Sequence, residues 1–325
     1  MRRRLGSYCL RMGVLLAICA FTAVAMLRVG DSPWQTGPAL VLGVVFAQFG
    51  FLAHDAAHRQ VFASHHANEW GARVLSTVGI GLSYGWWTHK HNRHHRSPNQ
   101  EGRDPDIAAG GLAFTPRSAA ERPRWLRPVT RRQGYLFFPM LLLEGLNLHW
   151  AGLQTLAKRA DVPFRRLEAS LIFGRFAVYV ASLLFVMSPG NVVLFLGVQL
   201  AVFGFVLGAA FAPNHKGMPI VPAEKRMDFL RRQVLMSRNI SGGRLVDLAM
   251  GGLNYQIEHH LFPSMPRANL RRAQPVVRVF CQEHGIPYAE TSLVASYGIV
   301  VRYLNNVGLQ ARDPFTCPFV EAYRD

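Results

Sequence analysis

Seven of the chain's 13 histidines fall in three short clusters: His54-Asp-Ala-Ala-His58, His91-Asn-Arg-His94-His95 and Gln256-Ile-Glu-His259-His260. The first pair is spaced i, i+4 and the triple i, i+3, i+4, which puts each set on one face of a helix. Neutral imidazole is the commonest transition-metal ligand among side chains, so each cluster aims two or three donors at one spot. Seven histidines exceed the four ligands of one tetrahedral zinc site, and two metals fit better. The pattern differs from the Glu and Glu-x-x-His ligands of soluble di-iron carboxylate bundles. Ligand type alone leaves iron, zinc and copper open.

The elements that position these clusters follow from composition. Half of the 325 residues are hydrophobic, yet 36 Lys+Arg stand against 19 Asp+Glu, a formal charge of +17. Apolar spans joined by basic loops beside anionic lipid explain this combination, and nucleic acid is not expected as a partner. The fold class expected is an all-α integral membrane protein, a single domain over 1–325. About four transmembrane helices are read near residues 10–28, 37–53, 171–187 and 192–211. The apolar run from Leu5 behind Arg2 to Arg4 is too long, and lacks a small-residue cleavage site, for a signal peptide. Val74 to Trp87 is short and Gly-rich, suited to a re-entrant or interfacial helix rather than a crossing, which needs about 20 residues. Gly134 to Trp150 is ambiguous, because it carries Glu144, Asn147 and His149. Residues 54–133 and 214–325 are expected to form a cytoplasmic helical cap. The positive-inside rule places both termini and all three clusters on the cytoplasmic side. Cys9, Cys19, Cys281 and Cys317 show no CxxC spacing and read as reduced thiols without metal.

The boxes, with Pro98-Asn99 after the second and Leu261-Phe-Pro263 after the third, resemble those of membrane fatty-acid desaturases. Gln256 at the head of the third box is similar to the branch of front-end and related bacterial acyl desaturases. Gly81-Leu-Ser-Tyr-Gly-Trp-Trp87, Glu101-Gly-Arg-Asp-Pro-Asp106 and Ala212-Pro-Asn-His-Lys-Gly-Met218 carry the same resemblance, which runs from about residue 40 to 270. It implies two non-haem irons that use O2 and two electrons to insert a C=C bond into an acyl chain. The implied ligands are His54, His58, His91, His94, His95, His259 and His260, with His215 as the further histidine after the last span. The implied substrate is a fatty acyl-CoA or acyl-lipid, in a bacterial-type inner membrane. No His-Pro-Gly-Gly motif of a fused cytochrome b5 occurs, so a separate donor such as a ferredoxin with its reductase is expected. The +17 charge suits an acidic donor.

Other residues divide between roles. Gln256, Asp55, Glu258, Asn99 and His149 are candidates for metal contact or for holding a ligand, since Asp55 and Glu258 adjoin box histidines. Solvated surface acids are the alternative for those two. Trp86 and Trp87 either line an acyl tunnel or sit in an interfacial aromatic belt. His65, His66, His89 and His284 read as surface. The nearest rival function is a lipid or carotenoid hydroxylase or ketolase of the same superfamily. A metal transporter is more distant, because the best spans carry almost no ionisable residue beyond Arg175.

Overall fold

The computed structural model describes residues 3–309; Arg2 and Cys317 lie outside the described residues. The helices, in chain order, are α1 (Leu5–Val29), α2 (Thr36–Ala57), α3 (His65–Val74), α4 (Tyr84–Arg96), α5 (Pro116–Ala120), α6 (Arg127–Thr130) and α7 (Gln133–Lys158). Then come α8 (Arg165–Val186), α9 (Pro189–Phe211), α10 (Phe229–Leu235), α11 (Gly243–Ala249), α12 (Gln256–Leu261), α13 (Arg267–Glu283) and α14 (Leu293–Leu309). To this mostly helical architecture the structure adds one parallel pair of three-residue strands, β1 (Asn239–Ser241) and β2 (Glu290–Ser292). Among the described residues, five helical segments are long and apolar enough to cross a membrane: Leu5–Val29, Pro33–Ala57, Gln133–Lys158, Arg165–Val186 and Pro189–Asn214. Four overlap the expected spans; the fifth is the ambiguous Gly134–Trp150 region, now part of one 26-residue helix, and it is the least apolar of the set. The chain forms two compact units, residues 1–89 with 141–208, and residues 90–140 with 209–325.

The first unit is built from long apolar helices. Met26, Ala39, Leu42, Leu183, Met187, Val192 and Phe195 form one of its buried clusters. Many other side chains, such as Phe21, Val178 and Phe185, face outward, as lipid-facing helices require. The turn between α1 and α2 is closed by buried Gln35, whose amide donates to the Met26 and Gly30 carbonyls at the end of α1. Asp31 accepts from the Ser188 backbone and hydroxyl and from Asn191, tying this turn to the α8–α9 turn. Helices α7 and α9 meet backbone to backbone: a Cβ on Gly204 would lie 2.2 Å from the Gly145 nitrogen, so only glycine fits.

The expected re-entrant segment resolves into a π-helical turn over Leu75–Ile80, a left-handed Gly81 (φ +78°) and the first turn of α4. Fully buried Glu168 on α8 holds that first turn. Its carboxylate accepts from the Gly85 amide at 3.2 Å and from Ser83 Oγ at 2.7 Å, and pairs with Arg73 at 2.5 Å. Arg73 is itself buried, pairs also with Glu69, and lies against the rings of Trp70, Tyr84 and Phe164. An acid at the open amides of a helix start satisfies them and favours the helix dipole. Because α4 bears the second histidine box, this buried pair fixes where that helix begins. Arg175, in α8, is similarly wrapped by Phe46, Phe176 and Tyr179.

The second unit has a core of Val221, Val234, Leu235, Met236, Ile257, Val277, Cys281 and Ile286. Helix α13 presents Leu270, Ala273, Val277 and Cys281 on one buried face. Its partner α12 is only six residues long, below the length at which a helix is stable alone. Ile257 and Leu261 anchor α12 in this core. At about 100° per residue, Gln256, His259 and His260 then emerge together on its opposite side. The open amide of Ile257 donates to Asn239 Oδ1 on β1, which caps the short helix.

Candidate metal centre

Within the second unit, six histidines from three stretches of chain gather as two trios. His94 from the end of α4, His215 from the turn after α9 and His260 from α12 form the first, with ligand nitrogens within 4.8 Å of one another. His91, His95 and His259 form the second, under the same limit. The trios adjoin: the His95 and His260 rings stack with centroids 4.3 Å apart. In the first unit, His54 and His58 meet at the end of α2 with ring centroids 4.6 Å apart.

The partners of the first trio fix its protonation. His94 Nδ1 lies 3.1 Å from both oxygens of Asp104 and 3.3 Å from Asp106, so it donates. His215 Nδ1 donates to the Met236 carbonyl at 3.0 Å. His260 Nδ1 donates to Gln233 Oε1 at 2.9 Å, the amide orientation being set by Gln233 Nε2, which donates to the His95 carbonyl. In each neutral ring this leaves the lone pair on Nε2. The Nε2 atoms of His94 and His215 are 3.3 Å apart, and those of His91 and His95 are 3.0 Å apart. For His94 and His215, whose Nδ1 atoms both donate, two lone pairs at that separation repel unless a cation lies between them. Nitrogens about 2.1 Å from a common metal sit roughly 3.0–3.4 Å apart, so each of these two pairs is spaced to share a first-row metal. A proton is the competing cation. Burial pushes the His94 ring down, but Asp104 and Asp106 outweigh it and its pKa is raised. Burial, then the charge of His94, lowers that of His215 to about 3, which keeps this ring a neutral donor.

Asp104 also accepts from the amides of Asn99 and Asp106, and is buried by its loop. Asp106 is partly buried and pairs with Lys90 at 2.7 Å; burial raises its pKa, but Lys90, His94 and Lys216 hold it well below the usual carboxylate range. Lys216 is buried, donates to the Asp106 carbonyl, and sits 4.2 Å above the Phe114 ring. The turn carrying His215 is gripped from two sides. Asn99, in a left-handed conformation (φ 53°), donates to the His215 and Pro219 carbonyls. Buried Arg238 donates to the Pro213 and Lys216 carbonyls.

The other candidates divide. Gln256 points into the first trio, its amide 2.9 Å from His215 Nε2, while its Oε1 is buried with no hydrogen-bond partner among the described residues. Amide nitrogen and oxygen are distinguished only by their partners, and a flipped amide would add an oxygen donor beside His215. Glu258 does not hold a histidine. It accepts from Asn239 Nδ2 and Tyr288 OH, both at 2.7 Å, because one further residue of helix turns it away from His259. Burial raises its pKa against both of those bonds. Asn99 acts on the backbone of His215. Asp55 is buried, 3.6 Å from His54 Nδ1. His149 sits in the first unit with its ring nitrogens against the Gly145 and Ile80 carbonyls, linking α7 to the turn before Gly81. The Trp87 ring packs edge-on to His54 at 5.6 Å, and Trp86 is half-buried near Gly152. His65, His66, His89 and His284 are exposed. Sequence reasoning missed Asp104, Gln233, Asn239, Tyr288, Lys216 and Arg238 as supports. Two acids, Asp104 and Asp106, in a strongly basic stretch were the one usable signal.

The model of one family, fatty acid desaturase, matches residues 32–292. That stretch contains all three boxes and His215. The chain belongs to the fatty acid desaturase family. This desaturase-family chain is 32% identical over 285 residues to an acyl-lipid (9-3)-desaturase of Physcomitrium patens, covering 85% of itself and 54% of that protein. It is 32% identical over 287 residues to an acyl-lipid 8-desaturase of Rebecca salina, covering 86% and 65%. It is 30% identical over 290 residues to the Delta(6)-fatty-acid desaturase fat-3 of Caenorhabditis elegans, covering 84% and 65%. It thus spans about half to two thirds of the length of these curated relatives. Family and apolar helices together make it a membrane protein with histidine clusters able to bind metal.

Proposed function

We propose that this chain is an O2-dependent acyl desaturase with two non-haem irons. The observation that carries the reading is the pair of adjoining histidine trios, with the first trio's Nδ1 atoms all committed to oxygen acceptors. His94, His215 and His260 would hold one iron, and His91, His95 and His259 contribute to the other. Box spacing and family membership support His54 and His58 as the remaining ligands. Bound iron supplies the activation of O2 needed to oxidise an unactivated C–H bond. Per turnover one acyl CH2–CH2 unit, O2, two electrons and two protons become CH=CH and two waters.

The residues around the trios orient and shield. Asp104, the Met236 carbonyl and Gln233 each fix one imidazole by its Nδ1–H, which sets the tautomer and raises the basicity of Nε2. Burial of His94, His215, His259 and His260 keeps water from competing at the metals. Trp86 and Trp87 are proposed to line the approach of the acyl chain, and the edge contact of Trp87 on His54 supports this. The relatives' names favour an acyl-lipid over an acyl-CoA substrate. Electrons come from a separate acidic donor of the ferredoxin type, which the net charge of +17 suits.

The same geometry supports a four-crossing topology with both termini cytoplasmic. His94 precedes α7, and His215 follows α9, yet their Nε2 atoms are 3.3 Å apart. An even number of crossings between them fits this proximity. Of α7, α8 and α9, the least apolar is α7, which holds Pro139, Glu144, Asn147 and His149. Helix α7 is proposed to lie in one leaflet while α8 and α9 cross.

The deciding experiment is expression in a host that lacks the product, followed by fatty-acid methyl-ester profiling with double-bond location. A new unsaturated acid that disappears with His94→Ala is the expected result. A hydroxylated acid would indicate a hydroxylase, and an unchanged profile with a competent donor present would refute the reading.

A further inference from the structure

The stretch from Arg122 to Tyr135, in the second unit, plays no part in the metal centre. It contains five arginines and, apart from Glu121 just before it, no nearby acid in sequence. Glu121 is taken by Arg117 at 3.1 Å. Arg122 donates to the Gly110 carbonyl. Arg124, Arg127, Arg131 and Arg132 are exposed and have no acidic partner among the described residues. Between them stand Trp125, 76% exposed, Val129, 49% exposed, and Tyr135, 68% exposed.

The backbone beneath is held firmly. Pro123 and Pro128 divide the stretch into two single turns, a 3-10 turn at Arg124–Leu126 and then α6. Thr130 Oγ1 donates to the Leu126 carbonyl. Gln133 donates to the Leu304 carbonyl of α14, and the Gly134 amide donates to Asn305. A Cβ on Gly308 would strike the Thr130 carbonyl, so α14 and this stretch are in direct backbone contact. The exposed side chains thus project from a fixed support, and the chain runs without a break into the apolar helix α7.

We propose that Arg124, Trp125, Arg127, Val129, Arg131, Arg132 and Tyr135 form a binding surface for anionic phospholipid headgroups. Guanidinium groups pair with phosphate in a planar, two-pronged geometry. Trp and Tyr place an apolar body below the headgroups and a polar edge among them. Arginines alone would suit an acidic protein equally. The interleaved exposed aromatics, and the direct continuity with a membrane helix, select the bilayer. The surface would pull the leading end of α7 to the headgroup layer.

The test uses the full chain in lipid nanodiscs and needs no turnover, so it is independent of the desaturase reading. Tryptophan fluorescence is quenched by phosphatidylglycerol or phosphatidylcholine brominated in the acyl chain, and Trp125→Phe isolates the Trp125 contribution. The expected result is quenching by the brominated phosphatidylglycerol at least several-fold stronger than by the brominated phosphatidylcholine at equal doping. Each basic residue near an anionic surface contributes roughly fivefold in local enrichment, so neutralising two or more should erase the preference. Arg131→Gln/Arg132→Gln is measured beside the fourfold Arg→Gln variant, so that one folded variant suffices. Equal quenching by the two lipids, or no quenching of Trp125, overturns the proposal. Shielding of Trp125 only after addition of an acidic redox protein would also overturn it and assign the surface to that partner.

Discussion

Replacing Asp104 by Asn removes one negative charge and almost no volume. The buried Asp104 carboxylate takes His94 Nδ1 at 3.1 Å on both oxygens, the Asn99 amide at 2.7 Å and the Asp106 amide at 2.9 Å. An amide has one acceptor oxygen, so its NH2 group must face one of these three donors. The His94 bond falls from charge-assisted to neutral, a change of about 1–2 kcal/mol at typical values for the two classes. That difference converts to roughly 5- to 30-fold in metal affinity at about 1.4 kcal/mol per decade. It overlaps the 10- to 100-fold range seen for partners of metal-bound histidines, about the same order by an independent route. The assay is iron content of detergent-purified protein titrated with a chelator, beside Asp106→Asn as the internal reference. Asp106 lies farther from His94, at 3.3 Å, and its side chain is about one third exposed, so a smaller loss is expected there. Unchanged chelator resistance in a folded Asp104→Asn protein, or equal losses in the two variants, would refute the claim that Asp104 fixes His94.

His215→Ala should lose product as completely as His94→Ala while still inserting into membranes, and His284→Ala should behave as wild type; comparable yields from the His215 and His284 variants would remove His215 from the ligand set. Gln256→Ala should lose most activity and Gln256→His should keep some, because a histidine can refill the space beside His215; full yield from the alanine variant at matched protein level would show the amide to be idle. Glu168→Ala leaves the buried Arg73 with only Glu69 as counter-charge and should destabilise the protein by about 3 kcal/mol, the lower end for a broken buried pair. Thermal unfolding in detergent measures it, and Glu168→Leu/Arg73→Met should recover most of the loss; a single variant as stable as wild type would show that the pair does not fix α4.

What the sequence made legible was whatever repeats with the period of a helix. The spacing within His91, His94 and His95 already implied convergence, and apolar runs marked α1, α2, α8 and α9, though α1 and α8 begin more than one turn before the expected starts. The supports were hidden because they come from other elements. Asp104 reaches His94 by a tight turn, Gln233 arrives from α10, and the grip on His215 Nδ1 is a backbone carbonyl that no side chain announces. Glu258 shows the opposite error. Sequence adjacency to His259 suggested contact, but one residue of helix is a rotation of about 100°, and Glu258 faces Asn239 and Tyr288 instead. Helix α7 stayed ambiguous because Glu144 and His149 interrupt an otherwise apolar run. The β1–β2 pair, three residues each, was too short to leave a pattern.

Both trios draw a member from α12, His260 for one and His259 for the other. Synthesis runs from the N-terminus, so neither trio is complete until α12 has been made, after the five candidate membrane-crossing segments. Helix α12 is also too short to hold its shape before the core around Ile257 forms. Completion of both trios is thereby deferred to a late stage of assembly. A chain interrupted before α12 would carry His91, His94, His95 and His215 without either complete trio. A folding defect in the C-terminal third would then leave both trios incomplete, however well the apolar helices had formed.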